Sequence, residues 1–137
     1  MAIIVDTGVL LAAADSDDED HDRCSELLRH HRGNLWASAP VIPETAWQIE
    51  RNLGPLSESA FLQLITEQHL RVIDLNLIDW GRCIELIDTY ADLRLGLVDA
   101  SVVAVAERLG VTSIATLNHR DFSVVRPAHC DGLELIP

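Results

Sequence analysis

Short apolar segments alternate with longer stretches of helical periodicity along this 137-residue chain. Between the apolar segments, hydrophobic side chains recur every three or four residues, as they do on the buried face of a helix. The alternation predicts an α/β fold, a three-layer sandwich in which helices flank a central, mainly parallel sheet of four to five strands. The predicted strands lie at residues 2–5, 35–37, 70–75 and 111–117, with a possible fifth at 133–136.

Cap and turn residues bound the predicted helices. Gly54-Pro55 is a stop signal, and Ser57-Glu58-Ser59 is predicted to cap the helix that follows it. Gly110 is predicted to end the helix that carries Asp99 in its first turn. The remaining helices are expected at residues 9–14, after the acidic run 15–22, and at 40–51 and 77–91.

Spacing also predicts which side chains enter the core. One apolar stripe of the long helix near residue 80 is expected to be buried. We further expect the tryptophans to pack in the core, and the three cysteines to be reduced thiols, buried or partly buried, because they lie far apart in the sequence. The stripe comprises Leu77, Trp80, Ile84, Ile87 and Ala91, the tryptophans are Trp36, Trp47 and Trp80, and the cysteines are Cys24, Cys83 and Cys130.

The composition is typical of one compact domain, with 48% hydrophobic residues in 137. No apolar run approaches the roughly 20 residues that a membrane span requires, so no membrane partner is expected. The amino-terminal segment has no basic region and no small-residue cleavage site, which predicts a cytoplasmic location.

The net charge is −12, and all ten basic residues are arginines. This balance argues against a protein whose whole surface binds nucleic acid. It leaves room for a small site that uses metal cations and a few arginines. The absence of lysine excludes phosphate-loop and Schiff-base lysines. It also argues against a phospho-aspartate or receiver-like chemistry at Asp6, since Gly8 stands where a second aspartate would be needed.

Acidic residues stand where hydrophobic segments begin or end. Asp6 follows an apolar strand, and the segment 118–121 follows a later one. The carboxyl ends of parallel strands meet at one sheet edge, and Glu44 and Asp99 come from helices that could lean over the same edge. Carboxylates in apolar surroundings are costly unless a positive group pairs with them. A divalent cation would hold several of them together, which points to metal-assisted chemistry on a phosphate.

Together, these motifs resemble the PIN domain, and more narrowly the VapC ribonuclease toxins of bacterial toxin–antitoxin pairs. The motifs are Asp6-Thr7 after a strand, Pro43-Glu44, Leu97-Val98-Asp99-Ala100 at a helix start, and the segment from Thr116 to Phe122. The resemblance covers the whole chain in order.

The resemblance implies an endoribonuclease that depends on Mg²⁺ or Mn²⁺ and acts on RNA of the tRNA or rRNA class. Asp6 and Asp99 match the family's principal metal ligands. Glu44 matches a third acid that binds metal or orients the attacking water, and Thr7 matches a hydroxyl position beside the first aspartate. The resemblance also implies a homodimer and a cognate antitoxin as partner.

The chain departs from the family pattern at Asn118, where a fourth acid is expected. The Asn118 amide offers a carbonyl oxygen but no charge, and Asp121 is the candidate to replace the missing acid. Two alternatives follow: a competent nuclease, or a catalytically impaired dimer that acts mainly as an antitoxin-binding module. Arg120 and Arg51 are candidates to contact RNA phosphates, with surface solvation as the alternative role.

Overall fold

The computed structural model describes the whole chain, Met1–Pro137, as five strands and seven α-helices. The strands are β1 (Ile3–Val5), β2 (Leu35–Ser38), β3 (Arg71–Ile73), β4 (Ser113–Ala115) and β5 (Glu134–Ile136). The helices are α1 (Thr7–Ala14), α2 (His21–His30), α3 (Val41–Leu53), α4 (Pro55–Thr66), α5 (Leu77–Thr89), α6 (Leu97–Leu109) and α7 (His119–Val124). A short 3₁₀ turn, Ala91–Leu93, joins α5 to the segment before α6.

All five strands run parallel in the order β3-β2-β1-β4-β5. The chain steps outward from β1 to β3, then crosses back to β4 and continues to β5. Right-handed crossovers therefore place α1 to α4 on one face and α5 to α7 on the other. The helix contacts agree, since α1 packs on α2 and α3, α3 packs on α4, and α5 packs on α6. The predicted α/β fold with a parallel sheet is confirmed.

The direction of winding reverses between the neighbouring strands β1 and β4. In sheets of this kind, a crevice opens at the carboxyl ends of the two strands where the winding reverses. Both strands are buried throughout, as is the middle of α6 from Ala100 to Ala106. The two strands whose carboxyl ends border this crevice are therefore buried in the core.

The predicted buried stripe of α5 is wrong except at Ile87, which is partly buried against the core. The helix instead buries Asp79, Cys83 and Leu86, while Leu77 is 88% exposed and Ile84 is 62% exposed. The cause is a pair of ionic contacts with α6, where Arg108 binds Asp79 and Arg82 binds Glu107. These contacts turn the other side of α5 inward.

Two further predictions are corrected. Trp47 and Trp80 do not lie in the core, being 58% and 45% exposed, whereas Trp36 is half-buried against it. The residues Ser57 to Ser59 do not cap α4, because the helix already begins at Pro55, a residue suited to the first helical turn. Cys24 and Cys83 are buried and Cys130 is partly buried, all with free thiols, as predicted. No helix is long and apolar enough to span a membrane.

Candidate active site

Asp6 stands at the point where β1 ends and α1 begins. Its backbone N–H donates to the carbonyl of Ala115 on β4 at 2.8 Å, which ties the two central strands together. Its carboxylate caps α1 by accepting from the Thr7 N–H at 2.8 Å, and the other oxygen accepts from the Thr116 hydroxyl at 3.0 Å. Asp6 is only 7% exposed. Burial raises its pKa, and the hydrogen bonds from Thr7 and Thr116 counteract part of that rise.

Glu44 reaches the same place from the first turn of α3. The hydroxyl of Thr7 donates to its carboxylate, with 2.6 Å between Thr7 Oγ1 and Glu44 Oε2. Thr7 therefore connects two acids, since its N–H binds Asp6 and its hydroxyl binds Glu44. The negative charge of Glu44 contributes to the raised pKa of Asp6.

Asp99 approaches from the opposite face of the sheet, as the third residue of α6. It is half-buried and has no ion-pair partner. Its pKa is raised to about 6, first by burial and then by the charges of Asp6, Glu44 and Asp121. Asp99 is therefore close enough to Asp6, Glu44 and Asp121 for their negative charges to oppose its ionisation.

The segment after β4 supplies the fourth acid through a network of hydrogen bonds. The Asn118 N–H donates to the Thr116 hydroxyl at 3.0 Å, and the Asn118 side-chain amide donates to Asp121 at 3.1 Å. Arg120 donates to the other oxygen of Asp121, also at 3.1 Å. The bonds from Asn118 and Arg120 lower the pKa of Asp121. Asn118 thus holds Asp121 in place as an anion at the start of α7.

A family model of the PIN domain matches residues 3–126 of the chain, a span that includes all four carboxylates. The chain belongs to the PIN domain family.

Three individual proteins are also similar to this chain. Ribonuclease VapC26 of Mycobacterium tuberculosis is 28% identical over 135 residues, which cover 98% of this chain and 100% of the relative. The crystal structure of VapC20 from the same organism, described as a sarcin-ricin loop cleaving toxin, gives a TM-score of 0.77 at 21% identity over 82% of this chain and 87% of that one. The DNA-bound VapBC of Salmonella typhimurium gives 0.72 at 17% identity over 98% and 96%. The predicted PIN domain of the VapC type is confirmed.

The donor set of this PIN domain fits a hard divalent cation. Besides burial, the charge of Glu44 raises the pKa of Asp6, and the charges of Asp6, Glu44 and Asp121 raise that of Asp99. Arg120 is the only positive side chain that contacts any of the four acids. Mg²⁺ and Mn²⁺ prefer carboxylate oxygens supplemented by water. No three of the acidic, histidine or cysteine side chains form a ready-made coordination shell, and Asp6 and Glu44 are held by threonine donors.

Sequence reasoning gave Thr116 no role, although the structure places its side chain at the centre of the cluster. Its hydroxyl donates to Asp6 and accepts from the backbone of Asn118. The sequence feature that could have indicated this role is a hydroxyl residue directly after an apolar strand. Its significance depended on β4 lying next to β1, a pairing between residues about 110 positions apart.

Proposed function

We propose that this PIN domain is a metal-dependent endoribonuclease of the VapC toxin type. The observation that carries the proposal is the convergence of four carboxylates from four separate elements on the carboxyl ends of β1 and β4. Placing several carboxylates together in a partly buried site is unfavourable unless positive charge offsets them. Such a site is suited to bind a metal cation.

Asp6, Asp99 and Glu44 are the proposed ligands of Mg²⁺ or Mn²⁺. The cation, when bound, supplies a water of lowered pKa and positive charge to offset the phosphodiester. Thr7 and Thr116 orient the ligand carboxylates, each by donating a hydroxyl hydrogen bond. Asp121 adds the fourth negative charge, and the Asn118 amide keeps it ionised.

RNA is the proposed substrate, of the structured tRNA or rRNA class. The VapC26 relative is named a ribonuclease and VapC20 a sarcin-ricin loop cleaving toxin. A net charge of −12 requires positive charge at the point of RNA contact. Arg120 is 86% exposed at its side chain, so it can turn from Asp121 toward a phosphate at the edge of the acidic cluster.

A cognate antitoxin and a homodimeric assembly are the proposed protein partners. A solved structure with a similar fold, from Klebsiella pneumoniae, is a toxin–antitoxin complex. A basic antitoxin side chain placed among the four acids would occupy the position proposed for the cation. Light scattering of the isolated protein, and co-purification with the product of a neighbouring gene, test the two partner proposals separately.

The central test is cleavage of total RNA by the purified protein with Mg²⁺ or Mn²⁺. Asp6→Ala and Asp99→Ala should each abolish cleavage, whereas Asp92→Ala should not, because Asp92 is exposed on the 3₁₀ turn and is not among the charges that act on Asp6 or Asp99. Cleavage that does not require metal, or that survives both substitutions, would contradict the proposal.

A further inference from the structure

An exposed aromatic side chain stands on α3, about one turn after Glu44. Trp47 is 58% exposed, although the sequence predicted it in the core. The guanidinium carbon of Arg51 lies over its ring, 5.3 Å from the ring centroid. Arg51 forms no ion pair, whereas Arg23, Arg29, Arg82, Arg108 and Arg120 each contact a carboxylate.

Helix geometry aligns this pair with the site. Glu44, Trp47 and Arg51 occupy positions i, i+3 and i+7, which share one face of a helix. Along the axis, Trp47 is about 4.5 Å and Arg51 about 10.5 Å beyond Glu44. Side chains on a helix lean toward its amino end, so the indole covers the turn nearest to Glu44. Trp47 and Arg51 therefore lie in a row along α3 that extends away from Glu44.

We propose that Trp47 and Arg51 bind the single-stranded RNA that flanks the scissile phosphate. The indole provides a stacking surface for a base next to the cleaved bond, and Arg51 contacts a backbone phosphate beyond it. This proposal rests on the proposed nuclease function and adds to it a binding subsite with two named residues.

The chemistry favours RNA over an apolar protein segment. An exposed indole with an unpaired guanidinium combines base stacking and phosphate attraction, the two features by which single strands are bound without sequence preference. Glu50 is the exposed acid nearest in sequence to Arg51 and forms no ion pair with it. In a chain of net charge −12, a free arginine at this place is positioned for an anion.

A second arginine–tryptophan pair provides a matched control. Arg71 lies over Trp36, also at 5.3 Å, but this pair borders a cavity at the amino ends of β2 and β3 together with His69 and Gly33. That cavity is at the opposite end of the strands from the acids. The two pairs share their chemistry and differ in location, so only the first should affect RNA.

The test measures binding of a fluorescein-labelled single-stranded RNA by polarisation, in an Asp99→Asn background that cannot cleave it, with Mg²⁺ present. Trp47→Ala should weaken binding about 5- to 150-fold, the range for loss of one base stack, while Trp47→Phe should retain most of the affinity. Arg51→Gln should weaken binding and reduce the slope of log affinity against log salt by about 1. Arg71→Gln should change neither quantity.

In the cleavage-competent protein, Trp47→Ala should raise KM more than it lowers kcat. Unchanged RNA affinity in Trp47→Ala and Arg51→Gln, in a protein whose wild type cleaves RNA, would overturn the subsite and leave the nuclease proposal intact. Loss of a protein partner with RNA binding unchanged would also overturn it. A wild type without metal-dependent cleavage would instead contradict the nuclease proposal itself.

Discussion

Asp79 and Asp99 occupy the same position in two neighbouring helices, yet their surroundings are opposite. Each is the third residue of a 13-residue helix, α5 or α6. Asp79 is 2% exposed and binds Arg108 Nε at 2.9 and 3.1 Å, and it also accepts from the Asn76 N–H in a capping box. The helix of Asp99 begins after Gly96, which has no side chain to cap it. Asp99 lies near the negative charges of Asp6, Glu44 and Asp121.

The difference separates a structural carboxylate from a functional one. A buried charge that is paired and hydrogen-bonded contributes to the fold, whereas a carboxylate placed among like charges weakens it. The helix start favours an acid in both cases, so local propensity does not distinguish them. What distinguishes them is the partner: an arginine from α6 for Asp79, and none within the chain for Asp99.

Removing the Asp79 carboxylate should give the largest change in stability. Asp79→Ala leaves Arg108 without its partner and removes the capping box of α5. We expect a loss of about 2–3 kcal/mol in the free energy of unfolding, at or below the lower end of the range for breaking buried pairs, because Arg108 is one-third exposed. Urea denaturation measures it, and a loss within error of the exposed-site variant Asp92→Ala would show that the pair is not structural.

Asn118→Asp should have a smaller effect and tests how the acidic cluster is held. The amide donates to Asp121 at 3.1 Å, and a carboxylate in its place would repel that anion. We expect a loss of about 1–2 kcal/mol without metal and no gain in RNA cleavage. The exposed Asn52→Asp variant controls for the added charge. A gain in cleavage would instead favour the catalytically impaired alternative, in which Asn118 has cost the enzyme its fourth acid.

The smallest expected effect is a gain in stability from Asp99→Asn. The pKa of Asp99 is raised from 3.8 to about 6 in the folded protein. A raised carboxyl pKa contributes stability that is present below the unfolded value and is lost as pH rises through the folded value. Without metal, Asp99→Asn should thus become more stable than wild type between pH 4 and 6 and keep an advantage of about 1 kcal/mol at pH 7, a value reduced because Asp99 is partly solvated.

Thermal unfolding at several pH values, in a chelating agent, measures this difference. An Asp99→Asn protein that is less stable than wild type at pH 7 would show that Asp99 has a favourable partner in the folded state.

The sequence predicts the parts of the fold that depend on local patterns. The apolar run before Asp6, and Gly110 after α6, mark element ends that the structure confirms. The spacing of apolar residues in α5 predicted the wrong buried face, because both sides of the helix carry apolar residues. Which side is buried depends on the ion pair of Asp79 with Arg108, 29 positions away. The contact between Thr116 and Asp6 could not be predicted from the sequence either, since it depends on which strands become neighbours.

The acids themselves were recognisable because each stands at an element end. Their electrostatic effects on one another were not, because the raised pKa of Asp99 depends first on its burial and then on the charges of Asp6, Glu44 and Asp121, and only the folded chain defines both. The role of Asn118 changed for the same reason. In the sequence it is a missing acid, and in the structure it is the donor that fixes Asp121.

Calorimetric titration of Mn²⁺ into the wild-type protein and Asp99→Asn at pH 7.0 tests the central claim most directly, namely that the acidic cluster is arranged to bind a divalent cation. We expect saturable binding by the wild type, weakening toward pH 5 as Asp99 takes up a proton, and at least about tenfold weaker binding by Asp99→Asn. Equal affinity in the two proteins, or no binding by either, would contradict the claim.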